Sequence, residues 1–137
     1  MITASHLLVG GAVGSLTDQP VLALALGVGS HALLDMIPHF DFRDYRRDVA
    51  LGAVVGVGTI AAAVIRGGVH RGFLWGMIGG VLPDVENLVW QMGFMDEKRR
   101  VFPTHRRGWL RHGAPRGPGN LVTQGFIGIL SLLVIFR

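Results

Sequence analysis

Apolar residues in this chain come in long blocks separated by short polar breaks, and each block reads as a helix. Ile2 to Leu16 is apolar apart from Thr3, Ser5 and His6 near its start and Ser15 at its end. It lacks the basic leader and small-residue cleavage site of a signal peptide, so it reads as a short, mature first helix. Thr17-Asp18-Gln19-Pro20 supplies a cap with proline near the first turn and opens a second helix to about Ile37. After the charged loop Phe40 to Asp48, the block Val49 to Ile65 has Thr59 as its only polar side chain. Arg66-Gly67-Gly68 closes it, and His70-Arg71-Gly72 opens a fourth block, Phe73 to Met92. The segment Gly93 to Gly119 is polar, basic and interrupted by Pro103, Pro115 and Pro118, which makes it a loop with room for a short interfacial helix. Leu121 to Phe136 is the last apolar block.

Composition changes the solvent these helices are expected to meet. Half the chain is hydrophobic, only 16% is charged, and glycine numbers 21. A typical soluble domain carries roughly 25% charge, and glycine is enriched where membrane helices approach closely. Mean hydropathy is +0.45. The blocks sit near the lower limit of the roughly 17 to 25 residues a span requires. The expected architecture is all-α without β-sheet: a small polytopic transmembrane bundle of about five spans, four at the least, forming one domain over 1–137. Residues 93–119 form its basic loop.

Charge then sets an orientation. Net charge is +4, and it gathers in the loop after helix two (Arg43, Arg46, Arg47) and the loop after helix four (Lys98 to Arg116). Those loops fall on one face, cytoplasmic by the positive-inside rule, with the N-terminus. Short basic loops suit anionic headgroups better than a nucleic-acid footprint, so no nucleic-acid partner is expected. Small residues on several helices make a homo-oligomer plausible. With no cysteine, thiol catalysis and Cys-based zinc sites are excluded.

The chemistry centres on His31-x-x-x-Asp35-x-x-x-His39 at helical spacing, with Asp84 at the matching end of helix four. A four-residue step keeps His31 and Asp35 on one face, and the topology brings His6 and Asp84 to the same level. Imidazole and carboxylate together bind zinc, and also manganese or iron. His6, His31, Asp35 and Asp84 are the expected ligands, with zinc the preferred divalent ion. Pro38 interrupts the helix, so His39 is expected to support the site or touch substrate. Asn87, three residues after Asp84, is a supporting candidate, while Asp41 and Asp44 read as solvated loop charges. Glu86 is a candidate general base. His105, Arg106 and Arg107 combine a proton carrier with two guanidiniums and are the remaining catalytic candidates.

Taken together, TASH at Thr3 to His6, GSHALLDMIPH at Gly29 to His39, GGVLPDVEN at Gly79 to Asn87 and THRRGW at Thr104 to Trp109 resemble the YdjM-like family. That family comprises small bacterial and archaeal membrane-bound, metal-dependent hydrolases with a distant likeness to zinc-dependent phospholipase C. The resemblance implies an integral protein of a prokaryotic inner membrane, with its metal centre at His6, His31, Asp35, Asp84 and the His105–Arg106 neighbourhood. The chain departs from the family pattern in having Val85-Glu86-Asn87 after the LPD motif and in placing SHxxxD before it. The function so implied is hydrolysis of a phosphoester or related bond in a membrane lipid or lipid-linked substrate. A metal- or proton-coupled transporter, or a structural or lipid-binding membrane protein, are the alternatives from other classes.

Overall fold

Every apolar block folds as a helix, and the breaks fall where the local chemistry demands them. The computed structural model describes residues 1–113 and 119–137, so Pro115, Arg116 and Pro118 lie outside the described residues. The helices are α1 (Thr3–Gly14), α2 (Pro20–Met36), α3 (Tyr45–Ile65), α4 (Arg71–Gln91) and α5 (Gly119–Ile135), with a 3-10 turn at Glu97–Arg99. No strand occurs among the described residues, as expected. Pro20 starts α2 behind an extended Gln19, where a missing N–H costs nothing. Met36 ends it because Ile37 precedes proline and takes an extended conformation, φ −84° and ψ 153°. Asp44, read as a solvated charge, caps α3 by accepting the Arg46 amide at 3.0 Å. Helix α4 continues through Pro83.

Glycine determines how α1, α2 and α4 meet. A Cβ at Gly76 would overlap the Gly10 carbonyl, one at Gly27 would overlap the Gly76 carbonyl, and one at Gly79 would overlap the Leu24 carbonyl. The three backbones therefore touch along a seam that no larger residue could occupy. Gly27 belongs to this seam and Gly56 meets Leu7, whereas Gly29 and Gly58 face open space. Phe73, Met77 and Ala63 form the buried apolar cluster beside the seam.

The outer helices are tied on by polar contacts. Asp48 of α3 accepts both the amide and the hydroxyl of Thr3, at 3.0 and 2.6 Å. Buried Gln124 of α5 accepts from the Ile2 amide and the Ser5 hydroxyl and donates to the Phe40 carbonyl. The outward faces of α3 and α5 carry exposed Val54, Val57, Val122, Phe126 and Ile129.

The expectation of about five membrane spans is corrected. Among the described residues, one helix, Tyr45–Ile65, is long and apolar enough to cross a membrane. Helix α1 has 12 residues, which at 1.5 Å per residue reaches about 18 Å against a hydrocarbon core of about 30 Å. Helices α2 and α5 each have 17 residues, and α2 buries His31 and Asp35. In α4, Pro83, Asp84 and Glu86 interrupt the apolar run. Block hydropathy overstated the spans because it counts an apolar side chain at a helix contact as it would one facing lipid. The orientation, the inner-membrane location, the headgroup contacts and the lipid-linked substrate were built on five spans and fall with them.

Candidate metal centre

Four segments converge at the end of the glycine seam. Gly80 brings α4 against the His6 carbonyl of α1, and its own carbonyl oxygen meets His31 Nδ1 of α2 at 2.7 Å. A carbonyl can only accept, so the Nδ1 proton is fixed there and neutral His31 presents its Nε2 lone pair inward. That lone pair faces Asp35 Oδ2 at 3.2 Å and His105 Nε2 at 3.3 Å. His105 Nε2 is in turn 3.3 Å from the same Asp35 oxygen. Three electron-rich atoms thus form a nearly equilateral triangle, with all three residues buried. Such a grouping needs something shared between its members, either a proton carried on an imidazole nitrogen or a metal ion.

The triangle has the dimensions of a metal site. A tetrahedral ion with ligands at about 2.0–2.1 Å separates its ligand atoms by about 3.3–3.4 Å. The donor set and the His31–Gly80 contact also match the way metal-bound histidines are oriented by a carbonyl on the far ring nitrogen. These His/Asp groups can coordinate a divalent cation, and His6, His31 and Asp84 form an overlapping group with the same capacity. His6 is wholly buried, stacks on His31 with centroids 3.7 Å apart, and has no hydrogen-bond partner on either ring nitrogen. Its Nε2 lies 3.1 Å from Asp35 Oδ1 without hydrogen-bond alignment. Asp84 Oδ1 is 3.9 Å from His31 Nε2, and its Oδ2 is buried without a partner.

Electrostatics follow this geometry. Burial holds the His6 imidazolium down to about 3 and pushes the Asp84 carboxyl up to about 6. Burial also opposes charge on Asp35, but the close imidazoles of His105, His31 and His6 and the Met1 ammonium overcome it and keep this carboxyl well below its ordinary range. For His31, burial is outweighed by the Asp35 hydrogen bond and the Asp84 charge, so its pKa rises.

The loop after α4 is held to deliver His105. Glu86 accepts the backbone amides of Val101 and Phe102, the latter at 3.0 Å, and its Oε2 lies 3.6 Å from His105 Nδ1. Asn87 accepts from Arg100 at 3.0 Å, and Arg100 stacks on Trp90. Thr104 donates to Asp35 Oδ2 at 2.8 Å, a contact that the THRRGW segment contained but sequence reasoning did not single out. Arg106 lies over Trp109, and Arg107 pairs with Glu97 at 3.1 Å. Both line a cleft of ≈420 Å³ that also reaches Thr104, His105 and His112.

His39 leaves the line of His31 and Asp35, as Pro38 led one to expect. It lies against Asp41 and His112 instead. Asp41, read as solvated, lies beside His112 and His39; although burial opposes its charge, these neighbours and the Met1 ammonium keep its carboxyl well below the usual range. The Met1 amino nitrogen lies 3.0 Å from Oδ1 of both Asp35 and Asp41. His112 was missed entirely. The Gly113 amide, bonded to the Asp35 carbonyl at 2.6 Å, brings it in from a distant loop that has no periodicity to read.

No protein-family model, no curated protein and no solved structure matches this chain. The resemblance to YdjM-like membrane-bound hydrolases is accordingly corrected. It rested on short motifs in an altered order, and the polytopic bundle it implied gives way to a fold with a single span-length apolar helix among the described residues. The phospholipase-like activity inferred through it falls as well.

Proposed function

We propose that this protein binds a divalent cation, zinc foremost, through His31, Asp35 and His105, and uses it in hydrolytic catalysis. The observation that carries the reading is the inward-facing His31 Nε2 lone pair, fixed by Gly80, in a triangle with edges of 3.2 to 3.3 Å. His6 and Asp84 stand next to it with unpartnered nitrogens and oxygen, which supports them as the further ligands. An ion so held would lower the pKa of a bound water and polarise the bond under attack. Thr104 orients Asp35, Glu86 and Asn87 fix the loop that carries His105, and His39 belongs to the neighbouring cluster. The cleft lined by Arg100, Arg106 and Arg107 gives access from the His105 side, and its guanidiniums favour a substrate that bears or develops negative charge.

Chelator-stripped protein should take up zinc in a calorimetric titration, and hydrolysis of p-nitrophenyl acetate should return with it. Both should be lost in Asp35→Asn. A protein that binds neither zinc nor manganese would overturn the reading and leave the triangle as a buried imidazolium–carboxylate network.

A further inference from the structure

Beside the first triangle lies a second one, built from different residues. His39 Nδ1 donates to the Ile37 carbonyl at 2.7 Å. The same tautomer argument therefore applies, and neutral His39 points an Nε2 lone pair away from that carbonyl. It faces Asp41 Oδ2 at 3.0 Å and His112 Nε2 at 3.2 Å, and the remaining edge, from His112 Nε2 to Asp41 Oδ2, is 3.8 Å. These lengths bracket the spacing of about 3.3 Å expected around a tetrahedral ion. His39 is fully buried, whereas His112 and Asp41 are 39% and 36% exposed, so the donors converge on a point open to solvent on one side.

We propose that His39, Asp41 and His112 form a second divalent-cation site, linked to the first by Asp35. His112 uses Nε2 toward this site and turns Nδ1 to Asp35 Oδ2, 3.6 Å away. Asp35 therefore ligates at one site and orients a ligand at the other. A cavity of ≈120 Å³ reaches Asp35, Asp41, Asp84, His105 and His112, large enough to admit water between the two sites. Two neighbouring cations can share the stabilisation of an attacking and a leaving oxygen, which one cannot do. The inference rests on the first-site reading only through Asp35, because its own three ligands are separate.

The test is a cobalt(II) titration of chelator-stripped protein, read by the visible absorption of tetrahedral cobalt and by bound metal after gel filtration. Parent protein should take up two equivalents. His112→Gln and Asp41→Asn, both at half-exposed positions, should each retain one and keep the parent's circular dichroism. His105→Ala should lose the other equivalent. One equivalent in the parent, unchanged in His112→Gln and Asp41→Asn but lost in His105→Ala, would overturn the second site and leave the first intact. One equivalent that is lost in His112→Gln but kept in His105→Ala would do the reverse. No uptake at all would remove both.

Discussion

The glycine seam and the His/Asp cluster occupy successive levels of the same three helices, yet they are held together by opposite means. Along the seam, Gly10, Gly27, Gly76 and Gly79 remove side chains so that backbones touch. One turn further, His6, His31 and Asp35 fill the space, almost wholly buried. At the seam every group is satisfied by contact alone. At the cluster, lone pairs oppose one another and several polar atoms lack partners, a costly arrangement unless something charged is held there. The contrast teaches that the seam sets the spacing: Gly80 both packs against His6 and supplies the carbonyl that fixes the His31 tautomer.

The largest expected effect comes from removing the centre of the cluster. Asp35→Ala should abolish cation uptake and destabilise the protein by about 3–5 kcal/mol, since it strands buried partners; chemical denaturation with and without zinc measures both. Next comes pH. In the metal-free folded chain the Asp84 pKa is about 6, against 3.8 for an ordinary aspartate. Its contribution is therefore fully present below pH 3.8 and is lost as pH rises through 6. In chelator, Asp84→Asn should gain stability relative to the parent over that window, by up to about 3 kcal/mol. Added zinc should shrink the difference, and a difference flat in pH would mean that Asp84 is not held in a desolvated site.

Smaller effects separate the seam from the open glycines. Gly76→Ala forces a Cβ onto the Gly10 carbonyl and should cost about 1–3 kcal/mol while weakening zinc binding from a distance. Stability lost with zinc affinity intact would show that the seam does not set the site. Gly58→Ala, which meets nothing within 4 Å, should stabilise α3 by about 0.5–1 kcal/mol and leave zinc binding unchanged.

What the sequence made legible was local. The i,i+4 spacing put His31 and Asp35 on one face, proline marked the end of α2, and turn residues located every helix. His6 and Asp84 were read as sharing a level with them, and the structure does bring all four together. The His39 departure also followed from Pro38. What lay beyond reading depended on chain reversal. His105, named from the residues only as a proton carrier, and His112, not named at all, arrive from a loop whose path is set by Glu86 gripping two amides and by the Gly113 bond to Asp35, and none of these contacts leaves a periodic trace. The solvent was misjudged for a different reason. Hydropathy counts an alanine, valine or leucine the same way whether it faces lipid or a neighbouring helix, so close helix packing was read as membrane span.

X-ray absorption at the zinc edge, on protein loaded with one equivalent of zinc, tests the central claim most directly. The account predicts four nitrogen and oxygen ligands at about 2.0–2.1 Å with the outer-shell scattering of more than one imidazole, and loss of that imidazole signal in His31→Ala. A six-oxygen shell without imidazole scattering, or a parent spectrum that His31→Ala leaves unchanged, would contradict it.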